Sequence, residues 1–191
     1  NGFADPEYLK KERESCVRAH QQCVQLLSET EVAGLIADNR YQEICDRARH
    51  VESGTTLLTK AEKTTFYNTL NMPENQKFFS AGLADLLYGE GSGEGRFKGF
   101  VRMLELLEIK RWQYATLFGF LRFPQENTII KPSVVQNAAK ALCWRIGYKP
   151  EPNWQSYSSV LRLCNHLNAS LVEEGLIPRD MIDVQSFIGS I

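Results

Sequence analysis

No run in the chain approaches the roughly 18–20 consecutive apolar residues that a bilayer crossing requires, and no signal-peptide pattern opens it. Cysteine is sparse. The five present (Cys16, Cys23, Cys45, Cys143 and Cys164) are odd in number and include no Cys-x-x-Cys pair. That pattern excludes the common zinc and dithiol motifs and points to reduced thiols in a cytoplasmic compartment. Nucleophile signatures are missing too, since there is neither a Gly-x-Ser-x-Gly nor a cysteine with a motif-placed histidine. The glycine-rich stretch Gly89–Gly95 is not a phosphate loop. No strand precedes it, no Gly-Lys-Ser/Thr follows, and Glu90 and Glu94 repel phosphate, so it reads as a linker. No strand pattern or internal repeat emerges, and no metal or cofactor site is expected.

What is present is an ordinary globular composition, 43% hydrophobic and 24% charged. The charge is unevenly placed. Between Arg96 and Lys149 lie ten basic and three acidic residues, net +7, whereas the first 95 residues carry net −5 and Pro150–Ile191 net −3. A total of −1 therefore hides a polarised chain, and a basic segment of this kind favours an acidic partner such as nucleic acid.

Hydrophobic periodicity predicts helices throughout. Asp5-Pro6 starts the first, in which Cys16, His20, Cys23, Val24 and Leu27 share one face to about Ser28. The two cysteines and His20 on that stripe read as core residues. Short helices follow over Glu31–Ala37 and Tyr41–Val51. Thr59 and Glu62 fit a capping box opening a helix to Leu70, and Pro73 opens the next. Beyond the linker, helices are predicted over Arg96–Leu107, Lys110–Leu121, Pro132–Ile146 (stopped by Gly147), Trp154–Glu174 with Asn153 as cap, and Arg179–Ser190. The last runs almost to Ile191, so the natural chain is expected to continue. The expectation is an all-α fold of eight or nine helices in two packed lobes. Residues 1–95 form the acidic lobe and residues 96–191 the basic, aromatic one, the two being compatible with one integrated domain.

Five cations are the candidate phosphate contacts: Lys110, Arg111, Arg122, Lys131 and Lys140. Lys110 and Arg111 begin a helix, and Lys131 precedes a helix-starting proline, where the positive helix end favours an anion. Trp112, Tyr114, Phe118, Phe120 and Phe123 stand beside these charges. Stacking on bases requires exposed rings, and their helical spacing assigns most of them to the core. Asp180 and Asp183 have the spacing of a carboxylate pair. The preferred reading is a first-turn aspartate complementing the helix dipole, with Arg179 four residues before Asp183 forming an ion pair.

The helix–turn–helix over Arg96–Leu121 followed by IIKPSVVQNAAKALCWRIG resembles the core of helix-hairpin-helix DNA glycosylases. In that family a glycine-rich hairpin binds a DNA phosphate and an aspartate before the next helix is catalytic. Here Leu107-Glu108-Ile109-Lys110 lacks glycine and Lys131-Pro132 stands where the aspartate belongs, so the resemblance implies a related fold without glycosylase chemistry. The segments AxLLYGEG, IIKPSV, EPNWQSYSSVLR and PRDMIDVQSFI, spanning most of Thr59–Ile188, resemble those of an uncharacterised bacterial all-helical protein family. That likeness implies one integrated fold and no established activity. The functional expectation is a non-catalytic module that binds DNA or RNA through a basic face. The alternative is a protein–protein interaction subunit with an acidic partner, or one whose two lobes neutralise each other. No membrane association is expected.

Overall fold

The computed structural model describes residues 2–191, the side chain of Lys11 excepted. It is all helical, and none of its helices is long and apolar enough to cross a membrane. After a short 3-10 turn at Gly2–Ala4 come α1 (Pro6–Tyr8), a π-helical segment (Leu9–Arg13), α2 (Glu14–Leu26), α3 (Glu29–Ala37), α4 (Tyr41–Ser53), α5 (Lys60–Leu70) and α6 (Pro73–Tyr88). Then follow α7 (Gly93–Leu106), α8 (Trp112–Arg122), α9 (Pro132–Ala141), α10 (Trp154–Glu173) and α11 (Met181–Ser190). Eleven α-helical segments thus replace the expected eight or nine among the described residues. One surplus segment arises because the first helix is interrupted by the wider π turns of Leu9–Arg13.

Local chemistry sets most of the helix starts. The Asp5 carboxylate accepts from the amides of Glu7 and Tyr8, with Pro6 at the first helical position. Thr59 and Glu62 form the reciprocal capping box, and Asn153 caps α10. The glycine-rich linker is shorter than the sequence suggests: the Ser92 hydroxyl accepts from the Gly95 amide, so α7 starts at Gly93.

Several helices end in the same way. After α7 the amide of Glu108 donates to Glu105 and that of Ile109 to Leu104, at 3.0 and 2.9 Å, while Glu108 takes the left-handed conformation (φ 58°). Both amides of this turn are therefore used within the helix end. Asn39, Cys143 and Gly175 occupy the equivalent left-handed position after α3, α9 and α10.

The core is organised by α8, on which eight of eleven residues are buried. Phe118 meets Phe66 and Phe79 at ring-centroid distances of 6.0 Å each, and Tyr114 stacks on Phe66 at 5.6 Å. Trp112, Tyr114, Phe118 and Phe120 are all buried, as their spacing implied. Polar contacts also join the halves of the chain. The Tyr114 hydroxyl donates to the Glu62 carbonyl at 2.7 Å, and His20 Nδ1 lies 2.7 Å from the Leu121 carbonyl, which receives its proton. One hydrophobic cluster runs from Cys16 to Ile188.

A buried ionic cluster ties the amino-terminal helix to α11. Asp180 caps α11 and pairs with Arg13 through two contacts of 2.6 Å. Asp183, with no solvent exposure, accepts from the Tyr8 hydroxyl at 2.5 Å, Arg13 Nη1 at 2.8 Å and Arg179 Nε at 2.8 Å. The Asp180/Asp183 pair is thus occupied by two guanidinium groups, and the Arg179–Asp183 ion pair forms as its spacing implied. Burial alone pushes the Asp183 carboxyl up. Hydrogen bonds from Arg179 and Tyr8 and the charge of Arg13 outweigh it and hold the carboxyl below the usual carboxylate range. Burial, reinforced by the bond to Asp183, raises the Tyr8 phenol to about 12.

Asp183→Asn removes the charge shared by these donors and is expected to destabilise the fold by about 3–5 kcal/mol in urea titrations. Because its folded pKa is depressed, the contribution of Asp183 is complete above the ordinary aspartate pKa. It is lost as pH falls through the lower folded value. The wild-type chain is therefore expected to lose stability on acidification over a range in which the Asn variant changes less.

Candidate nucleic-acid interface

The segment after α9 departs from its local propensity. Its sequence predicts helix to Ile146, yet α9 ends at Ala141. Cys143 turns left-handed (φ 51°), its amide donating to the Lys140 carbonyl and that of Trp144 to Ala139, at 3.2 and 2.8 Å. Residues 144–149 then run without regular structure across α10. Tertiary hydrogen bonds replace the lost helical ones. The Ser159 hydroxyl donates to the Arg145 carbonyl at 3.5 Å, and that of Ser156 donates to the Gly147 carbonyl at 3.0 Å. Ser156 Oγ also accepts from the Lys149 amide at 3.2 Å, and the Trp112 indole donates to the Lys149 carbonyl at 3.0 Å.

This reversal folds Trp144–Tyr148 back beside the last turn of α9. A shallow cleft of about 450 Å³ results, and Lys140, Trp144, Arg145 and Tyr148 are among its lining residues. Lys140 and Arg145 are exposed and the two rings half-buried. Trp144 is stacked with His166 (4.9 Å between centroids, 25° between planes), and Tyr148 lies 6.1 Å from Trp112. Burial raises the Tyr148 phenol, so it remains a neutral donor near pH 7. Lys149, exposed, follows the lining residue Tyr148 in sequence, and Arg111, also exposed, precedes Trp112, whose ring neighbours Tyr148 from outside the cleft. Among the described residues, Arg111, Lys140, Arg145 and Lys149 form no ion pair with a carboxylate. The ion pairs of the amino-terminal half are mostly local, as in Arg47 with Glu31 and Glu43. Among the described residues, Lys98–Glu94, one helical turn apart, crosses the residue 95/96 boundary, as do the pairs of Arg13 with Asp180 and Asp183.

The five cations marked in the sequence do not share one face. Lys140 lines the cleft, and Arg111 stands at the amino-terminal end of α8. Lys110 is paired with Glu105. Arg122, at the far end of α8 about 16 Å away along the axis, serves the interior: its Nε donates to the Tyr88 hydroxyl at 2.9 Å, and its guanidinium lies 4.7 Å from the Phe123 ring centroid. Lys131 lines a different cavity, beneath the amino-terminal segment.

Arg145, Lys149, Trp144 and Tyr148 were missing from the candidate set. In a continuous helix Lys140 and Arg145 would point about 140° apart, and the left-handed turn at Cys143 removes that separation. Cys143 itself carried no glycine signal for such a turn. Among the described residues no group of three or more His, Cys, Asp or Glu side chains is arranged to hold a metal ion.

Ser156→Ala leaves the Gly147 carbonyl and the Lys149 amide without their partner. It is expected to cost about 1–3 kcal/mol in urea titrations and to increase hydrogen exchange at Lys149. No family model matches the chain, and neither does any curated protein or solved structure.

Proposed function

We propose that this chain is a non-catalytic nucleic-acid-binding module that holds phosphates on the face built by Lys140, Arg145, Arg111 and Lys149. The observation that carries the reading is the cleft in which Lys140 and Arg145 stand beside Trp144 and Tyr148 without carboxylate partners. Cations bind the phosphate backbone by releasing its counterions, and half-exposed rings next to them offer a surface for bases. Charge in this arrangement confers affinity with little sequence discrimination. Lys110 and Arg122, already engaged by Glu105 and by Tyr88, contribute less.

Fluorescence anisotropy with labelled single-stranded and duplex oligonucleotides across a salt series tests the reading. Four phosphate contacts give a slope of log K against log salt of roughly −3 to −4. The double substitution Lys140→Gln/Arg145→Gln is expected to reduce that slope by about half and to weaken binding to both forms. Lys110→Gln should change it little. An absence of retention at low salt, or retention untouched by the double substitution, would refute this face as a nucleic-acid site and turn attention to an acidic protein partner.

A further inference from the structure

The cavity beneath the amino-terminal segment has about 450 Å³ of free volume, within the range typical of small-molecule sites. Its walls are largely apolar and include Phe3, Leu57, Phe120, Ile129, Val134 and Ile182. Most of its polar groups are already engaged. The Tyr8 hydroxyl donates to Asp183, the Gln185 amide to Thr128, and the Ser186 hydroxyl to the Ile182 carbonyl. Lys131 is different. It lines the cavity half-buried, and among the described residues its ammonium group makes neither a hydrogen bond nor an ion pair. Its charge is felt inside: burial pushes the Cys16 thiol up, and the nearby Lys131 opposes that shift. Glu12, also a lining residue but exposed, contributes a carboxylate from the solvent side.

We infer that this cavity binds a small amphiphile carrying one carboxylate, its apolar body against the walls and its carboxylate on Lys131. The walls argue against a wholly polar anion, which would lose its hydration without enough replacement bonds. The unpaired ammonium selects an acid over a neutral molecule of the same shape. Glu12 faces the same space with the opposite sign and weakens the site for an anion, so neutralising it strengthens binding. The inference is independent of the nucleic-acid reading, because Lys131 does not line the cleft of Lys140 and Arg145.

Isothermal titration calorimetry of the full chain with dodecanoate tests it, using 1-dodecanol and inorganic phosphate as comparison probes below their aggregation limits. Saturable one-to-one binding of dodecanoate is expected, with dodecanol weaker by roughly tenfold and phosphate not detectably bound. Lys131→Met should weaken dodecanoate by a similar factor, Lys131→Arg should largely preserve it, and Glu12→Gln should tighten it. Val134→Trp, which fills the cavity, should abolish binding while thermal melting shows the variant folded. Equal affinity for dodecanoate and dodecanol, or no saturable binding of dodecanoate, would overturn the proposal without reference to any variant. So would dodecanoate binding unaffected by Lys131→Met. Oligonucleotide retention by Lys131→Met should equal that of the wild type, which separates failure here from failure of the basic face.

Discussion

A helix with no polar stripe has to be covered on every side, and α8 imposes that requirement on the rest of the molecule. Phe118 and Tyr114 bring α5 and α6 against it through Phe66 and Phe79. Leu121 meets α2 through His20, and Trp112 reaches the connector before α10 through Lys149. Residues from acidic and basic parts of the sequence therefore enclose one buried helix in a single hydrophobic cluster. Among the described residues, the ion pairs that carboxylates of the first half do make are mostly with basic residues of the same half.

The two sites proposed here lie on opposite consequences of that packing. At one end of α8 the indole of Trp112 helps to hold the non-helical strap that carries Arg145, Tyr148 and Lys149. Further along, Phe120 forms part of the wall of the cavity that Lys131 lines, under a segment fastened by Arg13, Tyr8, Asp180 and Asp183. The cluster of two arginines and two aspartates also gives the PRDMID segment a physical role. Asp183 is fully buried and Asp180 half-buried, and the guanidinium groups that neutralise them come from both ends of the sequence, so neither end of the cluster can be removed without stranding charge.

Caps and apolar spacing made much of the fold legible in advance. Asp5-Pro6, Thr59 with Glu62 and Asn153 each work through atoms within three residues, so a linear reading finds them. The Arg179–Asp183 pair is legible for the same reason. The linker looks longer in the sequence than it is because Ser92 resembles a loop residue, whereas its hydroxyl accepts from the Gly95 amide and starts α7. The five candidate cations stand on or beside expected helices, but Arg122 turns to Tyr88 and Lys131 to a cavity. Those partners are 34 residues away for Arg122 and, for the cavity walls, scattered over the whole chain.

Residue order alone determined the all-helical class, the buried aromatics of α8 and the excess of positive charge in the second half, since each depends on side-chain type and short spacing. The tertiary structure decided where that charge is displayed. QNAAKALCWRIG would continue as a helix on propensity, yet Ser156 and Ser159 of α10 and the indole of Trp112 bind its backbone groups in another conformation. Hydrogen bonds supplied by residues remote in sequence outweigh a local preference worth only tenths of a kcal/mol per residue, and that is why Lys140 and Arg145 come to stand together.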